Sequence, residues 1–161
     1  RRAEQILRRG GSYPYPPRRP RPILKCVDDS PETLAKSFRT IRTLAYSSPG
    51  FNMTQEEAKL YATNWINSYS CSYAEDFRKN AQSIRIFSNA AVGLDLTLNE
   101  SIAYTIEMTP KFCGGEDFRK DFSSLFSFAY SSSGLNLPKE EARAYARDRV
   151  EEDYFSCEKD D

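Results

Sequence analysis

The sequence has no histidine at all. That absence removes imidazole as a general base, as a metal ligand and as a switch near neutral pH, and with it Ser-His-Asp and Cys-His chemistry. Long apolar runs are missing too. No stretch approaches the ~18 consecutive apolar residues that a membrane helix needs, so no transmembrane segment is expected. Glycine-rich phosphate loops are absent, and the pair Gly114-Gly115 reads as a hinge. No cofactor set is expected. A structural zinc, in the absence of imidazole, would need all four cysteine thiolates.

What is present is 161 residues, enough for one ordinary domain or two small ones, with 13% aromatic residues to build a core. The formal charge is zero, 23 basic against 23 acidic residues, but the signs are segregated. Residues 1–25 carry eight basic groups against Glu4 alone, a net +7, and residues 26–161 carry a net −7. The basic segment also holds Pro14, Pro16, Pro17, Pro20 and Pro22 with almost nothing to bury. Proline lacks the amide donor and favours extended backbone, so within the basic arm of residues 1–25, residues 9–25 are expected to form a solvent-exposed, polyproline-like strap, with residues 3–8 able to make one helical turn on a partner. The chain begins at Arg1 without methionine, which leads us to expect a processed or trimmed N-terminus.

Beyond Cys26 the strongest signal is internal similarity. Gly50-Phe51-Asn52-Met53-Thr54, Gly93-Leu94-Asp95-Leu96-Thr97 and Gly134-Leu135-Asn136-Leu137-Pro138 share one pattern of Gly, apolar, Asn/Asp, apolar, Thr/Pro. A glutamate and a tyrosine follow each at matched offsets: Glu57 and Tyr61, Glu100 and Tyr104, Glu141 and Tyr145. Apolar residues before each glycine step by three and four (Leu34, Phe38, Ile41, Leu44; Phe77, Ala81, Ile84, Phe87; Phe118, Phe122, Leu125, Phe128), the spacing of one helix face. Each glycine is expected to end that helix in the left-handed conformation of a C-cap. Thr54 with Glu57 and Thr97 with Glu100 match a capping box that starts the next helix, and Pro138 suits a first helical turn. The second helices are read as carrying Ala58, Tyr61, Ala62, Trp65, Ile66 and Tyr69; Ile102, Ala103 and Ile106; and Ala142, Tyr145, Ala146 and Val150.

The expected fold is therefore all-α. Three helical-hairpin repeats of about 42 residues, approximately 26–71, 72–113 and 114–161, form a compact six-helix bundle or short solenoid. The tyrosines are read chiefly as core; a groove lined by Tyr61, Tyr104 and Tyr145 is the sharper alternative, and it requires exposed rings.

Cys26, Cys71, Cys113 and Cys157 follow the repeat boundaries. An antiparallel hairpin brings its two ends together, so the expected disulfides are Cys26–Cys71 and Cys113–Cys157, each clasping one hairpin. Cys71–Cys113 remains an open alternative, since all four lie at one end. An even count in regular placement points to an oxidising compartment, secreted, periplasmic or lumenal.

Catalysis has little support: the carboxylates Glu116, Asp117, Asp121, Glu140, Glu141, Glu151, Glu152 and Asp153 fall in the pattern of solvated helix faces and helix starts. A small enzyme with a carboxylate site predicts a deep pocket lined by paired acids. The expected activity is binding: a non-enzymatic, extracytoplasmic protein that supports a larger assembly. The arm tethers it through Arg8, Arg9, Tyr13, Tyr15, Arg18, Arg19 and Arg21 to a protein or an anionic surface, membrane headgroups included as a peripheral contact. The alternative is an intracellular adaptor with reduced cysteines, whose arm engages nucleic acid or, through the P-x-x-P spacing of Pro14, Pro17 and Pro20, a proline-binding domain. Against nucleic acid stand the Arg18-Arg19-Pro20-Arg21-Pro22 run, which lacks the glycine that lets such segments lie in a minor groove, and a body whose charge repels phosphate.

Overall fold

The computed structural model describes residues 24–115 and 117–157. Among them are six α-helices and no strand. The helices are α1 (Pro31–Tyr46), α2 (Gln55–Ile66), α3 (Ala74–Asn89), α4 (Leu98–Met108), α5 (Phe118–Tyr130) and α6 (Lys139–Tyr154). Short 3-10 turns lie at Cys26–Asp28, Cys71–Tyr73 and Thr109–Lys111, the last containing Pro110 where α4 stops. Consecutive helices pair as α1 with α2, α3 with α4 and α5 with α6.

Local chemistry explains the helix starts. Ser30 caps α1, its hydroxyl accepting from the Thr33 amide, with Pro31 in the first helical position. Thr54 and Glu57 form a reciprocal capping box at α2, and Thr97 and Glu100 form its counterpart at α4. Those hydrogen bonds hold the Glu57 and Glu100 carboxyls below the usual carboxylate range. Pro138 stands at the N-cap of α6, one residue before the helix rather than within its first turn.

Within each pair, small side chains occupy matching positions. Ala45 and Ala58, Ser88 and Ser101, and Ala129 and Ala142 are fully buried, and the Ser88 and Ser101 hydroxyls meet at 2.6 Å. Small residues here let two helix backbones approach closely. One turn further along the second helix, Ala62, Thr105 and Ala146 continue the stripe, all fully buried. The α4 face thus differs from the expected one: Ala103 is exposed and Ile102 and Ile106 are only partly buried, while Ser101, Tyr104, Thr105 and Met108 face inward. Thr105 and Thr109 are tolerated there because each hydroxyl donates to a carbonyl one helical turn back, at 2.7 and 2.6 Å. In the first pair, Tyr69 lies past the end of α2.

Two cores share α3. Phe77 and Ala81 join Ile41, Leu44, Phe51, Ala58, Ala62 and Trp65. Ile84 and Phe87, further along the same helix, join Tyr104, Met108, Phe112, Phe118, Phe122 and Val150. The middle pair is therefore packed on both sides. Gly114 and Gly115, at φ 88° and 120°, make the bend into α5, a conformation L side chains resist.

The connection inside each pair is the same turn. In the first, the amides of Gly50, Phe51, Asn52 and Met53 donate to the carbonyls of Ser47, Leu44, Ser47 and Ala45. Gly93 to Leu96 and Gly134 to Leu137 make the corresponding bonds. The expectation of a left-handed glycine is corrected here. The left-handed residue is the Asn or Asp two positions later, Asn52, Asp95 and Asn136 at φ 50°, 53° and 52°, where a short polar side chain tolerates that region. The helices end four residues before the glycines. Glycine is required for a different reason: a Cβ at Gly50, Gly93 or Gly134 would lie 2.0 Å from the carbonyl oxygen of Leu44, Phe87 or Phe128.

Candidate functional site

The cysteines come together in two pairs at disulfide distance, Cys26 with Cys71 and Cys113 with Cys157, with Cα separations of 4.4 and 5.0 Å. The alternative pairing of Cys71 with Cys113 is thereby set aside. Backbone bonds reinforce both closures: the Cys26 amide donates to the Tyr69 carbonyl and the Cys113 amide to the Tyr154 carbonyl, each at 2.7 Å. The residues expected to bind a partner, Arg8, Arg9, Tyr13, Tyr15, Arg18, Arg19 and Arg21, lie outside the described residues. Their segment enters the fold at exposed Leu24, next to the Cys26–Cys71 closure.

The three matched tyrosines do not line one groove. Tyr104 is buried between hairpins: its hydroxyl donates to Glu151 at 2.8 Å, and the Arg147 guanidinium sits 5.0 Å above its ring. Burial first, and the Glu151 carboxylate second, push its pKa well up. Tyr61 packs edge-on against Phe51 at 5.2 Å, and burial raises its pKa as well. Tyr145 accepts a long hydrogen bond, 3.4 Å, from Arg149 at an exposed site. Tyr61 borders a 280 Å³ groove that it shares with Trp65, Tyr69, Ile106 and Pro110. The Trp65 indole N–H is buried there without an acceptor among the described residues.

A 610 Å³ cleft lies where α3 meets the start of α5, lined by Asp76, Lys79, Asn80, Ser83, Phe118 and Arg119. Two cations and one carboxylate suit it to a small anion or a polar peptide better than to proton-transfer chemistry, which wants titrating groups of opposed pKa facing one reacting atom.

The most specific chemistry is at the turns, and it uses residues that the sequence reading passed over. Arg85, buried on α3, donates through Nε to the Gly50 carbonyl and through an Nη to the Ser48 carbonyl, both at 3.2 Å. Arg143, buried on α6, does the same to the second turn: Nε to Gly93 O at 3.1 Å and an Nη to Ala91 O at 3.3 Å. One guanidinium fork thus satisfies two carbonyls that the turn's own bonds leave free.

The two arginines come from unlike places in their hairpins. Arg85 stands eight residues before Gly93, and the residue eight before Gly134 is Phe126. Arg143 compensates from the neighbouring helix: its guanidinium lies 5.3 Å over the Phe126 ring and is paired with Glu140. A signal was available, because arginine also occurs eight residues before Gly50, at Arg42. The phenylalanine in the third hairpin breaks that pattern and hides it.

The arrangement is one for docking helical hairpins through a backbone-reading arginine and an apolar surround. No protein-family model matches the sequence, and neither a curated protein nor a solved structure matches it.

Proposed function

We propose that the chain is a non-enzymatic binding component of an extracytoplasmic assembly, built from three copies of one helical hairpin and tethered by its basic, proline-rich N-terminal segment. The observation that carries this reading is the division of charge at Cys26, +7 before it and −7 after it. Segregation of that size gives the first 25 residues a strong preference for acidic surfaces and keeps the remainder from competing for them.

Three further features support the reading. The turns of the three hairpins make the same hydrogen bonds and place Asn or Asp in the same left-handed position, as copies of one unit would. Two cysteine pairs at disulfide distance are compatible with an oxidising compartment. No described helix is long and apolar enough to cross a membrane.

The test compares the whole chain with one lacking residues 1–25 for sedimentation with phosphatidylserine vesicles and for retention on an acidic polymer at low salt. The expected result is that the truncated chain keeps its helical circular-dichroism spectrum and loses association with both. Undiminished association by the truncated chain overturns the tether. Four free thiols together with steep salt dependence on DNA would favour the adaptor reading instead.

A further inference from the structure

The first and second turns are each closed by a guanidinium from the hairpin that follows them. The third turn has the same backbone bonds, and its matching acceptors are the carbonyls of Ser132 and Gly134. No donor among the described residues reaches them. The apolar side chains around it are open as well. At the position six before the glycine, Leu44 and Phe87 are 2% and 4% exposed, and Phe128 is 50% exposed. At the position after the glycine, Phe51 and Leu94 are 2% and 4% exposed, and Leu135 is 43% exposed. The cover that the second pair receives is visible in the ring contacts of Phe87 with Phe118 and Phe122, at 5.2 and 4.9 Å.

The opposite end of the chain carries the complementary surface. Arg42 on α1 occupies the position that Arg85 holds on α3, eight residues before the glycine, and it is exposed. On α3 and α5, the positions sixteen and twelve before the glycine (Phe77 and Ala81, Phe118 and Phe122) plug into the core and are buried. Their α1 counterparts, Leu34 and Phe38, remain partly exposed. The α1 surface has a key without a lock, and the third turn is a lock without a key.

We infer that the chain associates head to tail with a second copy of itself, the α1 face of one copy covering the third turn of the next with Arg42 donating to the carbonyls of Ser132 and Gly134. This rests on the proposed repeat reading, since it extends the contact between the first and second hairpins by one more step. Charge favours it. Lys36, Arg39 and Arg42 are exposed along α1, whereas the described residues of the third hairpin carry eight acidic against six basic groups. The N-terminal segment fits less well as the occupant. In sequence, Pro16, Pro17, Pro20 and Pro22 interrupt any helical spacing of apolar residues around Arg18, Arg19 and Arg21, whereas both internal examples supply apolar cover from the helix bearing the arginine or from its hairpin partner. Because the two surfaces differ, the contact is heterologous, and it continues as a filament unless its rotation closes a ring.

Sedimentation equilibrium of the full chain, from micromolar to millimolar, tests this. The mass of the unmodified chain should rise beyond that of one chain as concentration increases. Arg42→Glu and Leu135→Glu should each remain monomeric alone. Mixed in equal amounts they should form a one-to-one dimer and nothing larger, because each keeps one good surface. Both positions are exposed, and Phe128→Glu provides the same block should Leu135→Glu fail to fold. A monomer at every concentration overturns the inference, as does growth that survives in both single variants. Association lost on removing residues 1–23 but kept in Arg42→Glu also overturns it, and assigns the turn to the N-terminal segment. The tether is tested separately, since vesicle binding by that segment can fail while self-association persists.

Discussion

The first and third turns have the same backbone and different surroundings. Around Gly50 the loop packs against α3, its two outward carbonyls held by Arg85 and its flanking Leu44 and Phe51 sealed. Around Gly134 the loop keeps every internal hydrogen bond, yet Phe128 and Leu135 face solvent. The conformation is therefore set by the loop's own sequence: the glycine that admits a carbonyl at 2.0 Å, and the Asn or Asp that turns left-handed. What the neighbouring hairpin adds is cover and a guanidinium. Local chemistry makes the shape, and tertiary packing decides its stability.

Substitutions at matched positions should separate those two contributions. The widest gap is expected between Phe87→Ala, which empties a site packed by two aromatic rings and should cost about 3–5 kcal/mol, and Phe128→Ala, which should cost under ~1 kcal/mol. Chemical denaturation of both variants measures the difference, and equal losses would mean that the third turn is covered after all. Next come the glycines. Gly50→Ala drives a methyl into a carbonyl that cannot retreat beneath α3, for a loss of about 3 kcal/mol, whereas the open loop at Gly134→Ala can shift and should lose roughly half of that.

The arginines should give a smaller but cleaner contrast. Arg85→Ala and Arg143→Ala each strand one buried and one part-buried carbonyl and should cost about 2 kcal/mol, while Arg42→Ala should change monomer stability by less than ~0.5 kcal/mol. Thermal unfolding in dilute solution distinguishes them. An Arg42→Ala monomer as unstable as Arg85→Ala would show that Arg42 already has work to do within its own chain.

The smallest effects are in pH. Glu57 and Glu100 have lowered pKa values because Thr54 and Thr97 hydrogen-bond their ionised forms. Their contribution is therefore present above the ordinary carboxylate range and lost as pH falls through the lower folded-state value. The third hairpin has Pro138 at that cap and lacks this acid-sensitive device. It has an alkaline one instead. Tyr154 donates to Asp121, which raises its pKa to about 12, so that contribution is complete below about pH 10 and is lost as pH rises through about 12. Carbon-13 titration of the two glutamates and ultraviolet titration of a Tyr154→Phe variant against the unmodified chain follow both edges. Titration of Glu57 and Glu100 at ordinary carboxylate values would remove the distinction at the acid end.

Much of the fold was legible. The six helices and the two capping boxes depend on residue types at short spacing, where stereochemistry acts alone, and the cysteine pairs, 45 and 44 residues apart, followed from hairpins that bring their ends together. The inner face of α4 was not, because Ser101 and Thr105 are polar by type and core by position. Only their alignment with Ala58 and Ala62 reveals that small size, not hydrophobicity, is what the helix crossing selects. The role of the turn glycines was misread because a C-cap usually calls for glycine at positive φ, and here the need is for a missing Cβ. Arg85 and Arg143 stayed hidden because their targets are backbone carbonyls and because Phe126 interrupts the arginine position that Arg42 and Arg85 share. Of the candidate partner-binding residues, those before Leu24 lie outside the described structure, and the exposed Arg42 emerges only once Arg85 is seen at its task.

Amide hydrogen exchange at Phe51, Leu94 and Leu135 compares the three turns at the same backbone bond. In dilute solution Phe51 and Leu94 should exchange only with global unfolding, and Leu135 should exchange on the order of a hundredfold faster. Raising the concentration should slow Leu135 alone. Equal protection at all three amides, or a Leu135 rate indifferent to concentration, would contradict the picture of two closed turns and one that waits for a neighbour.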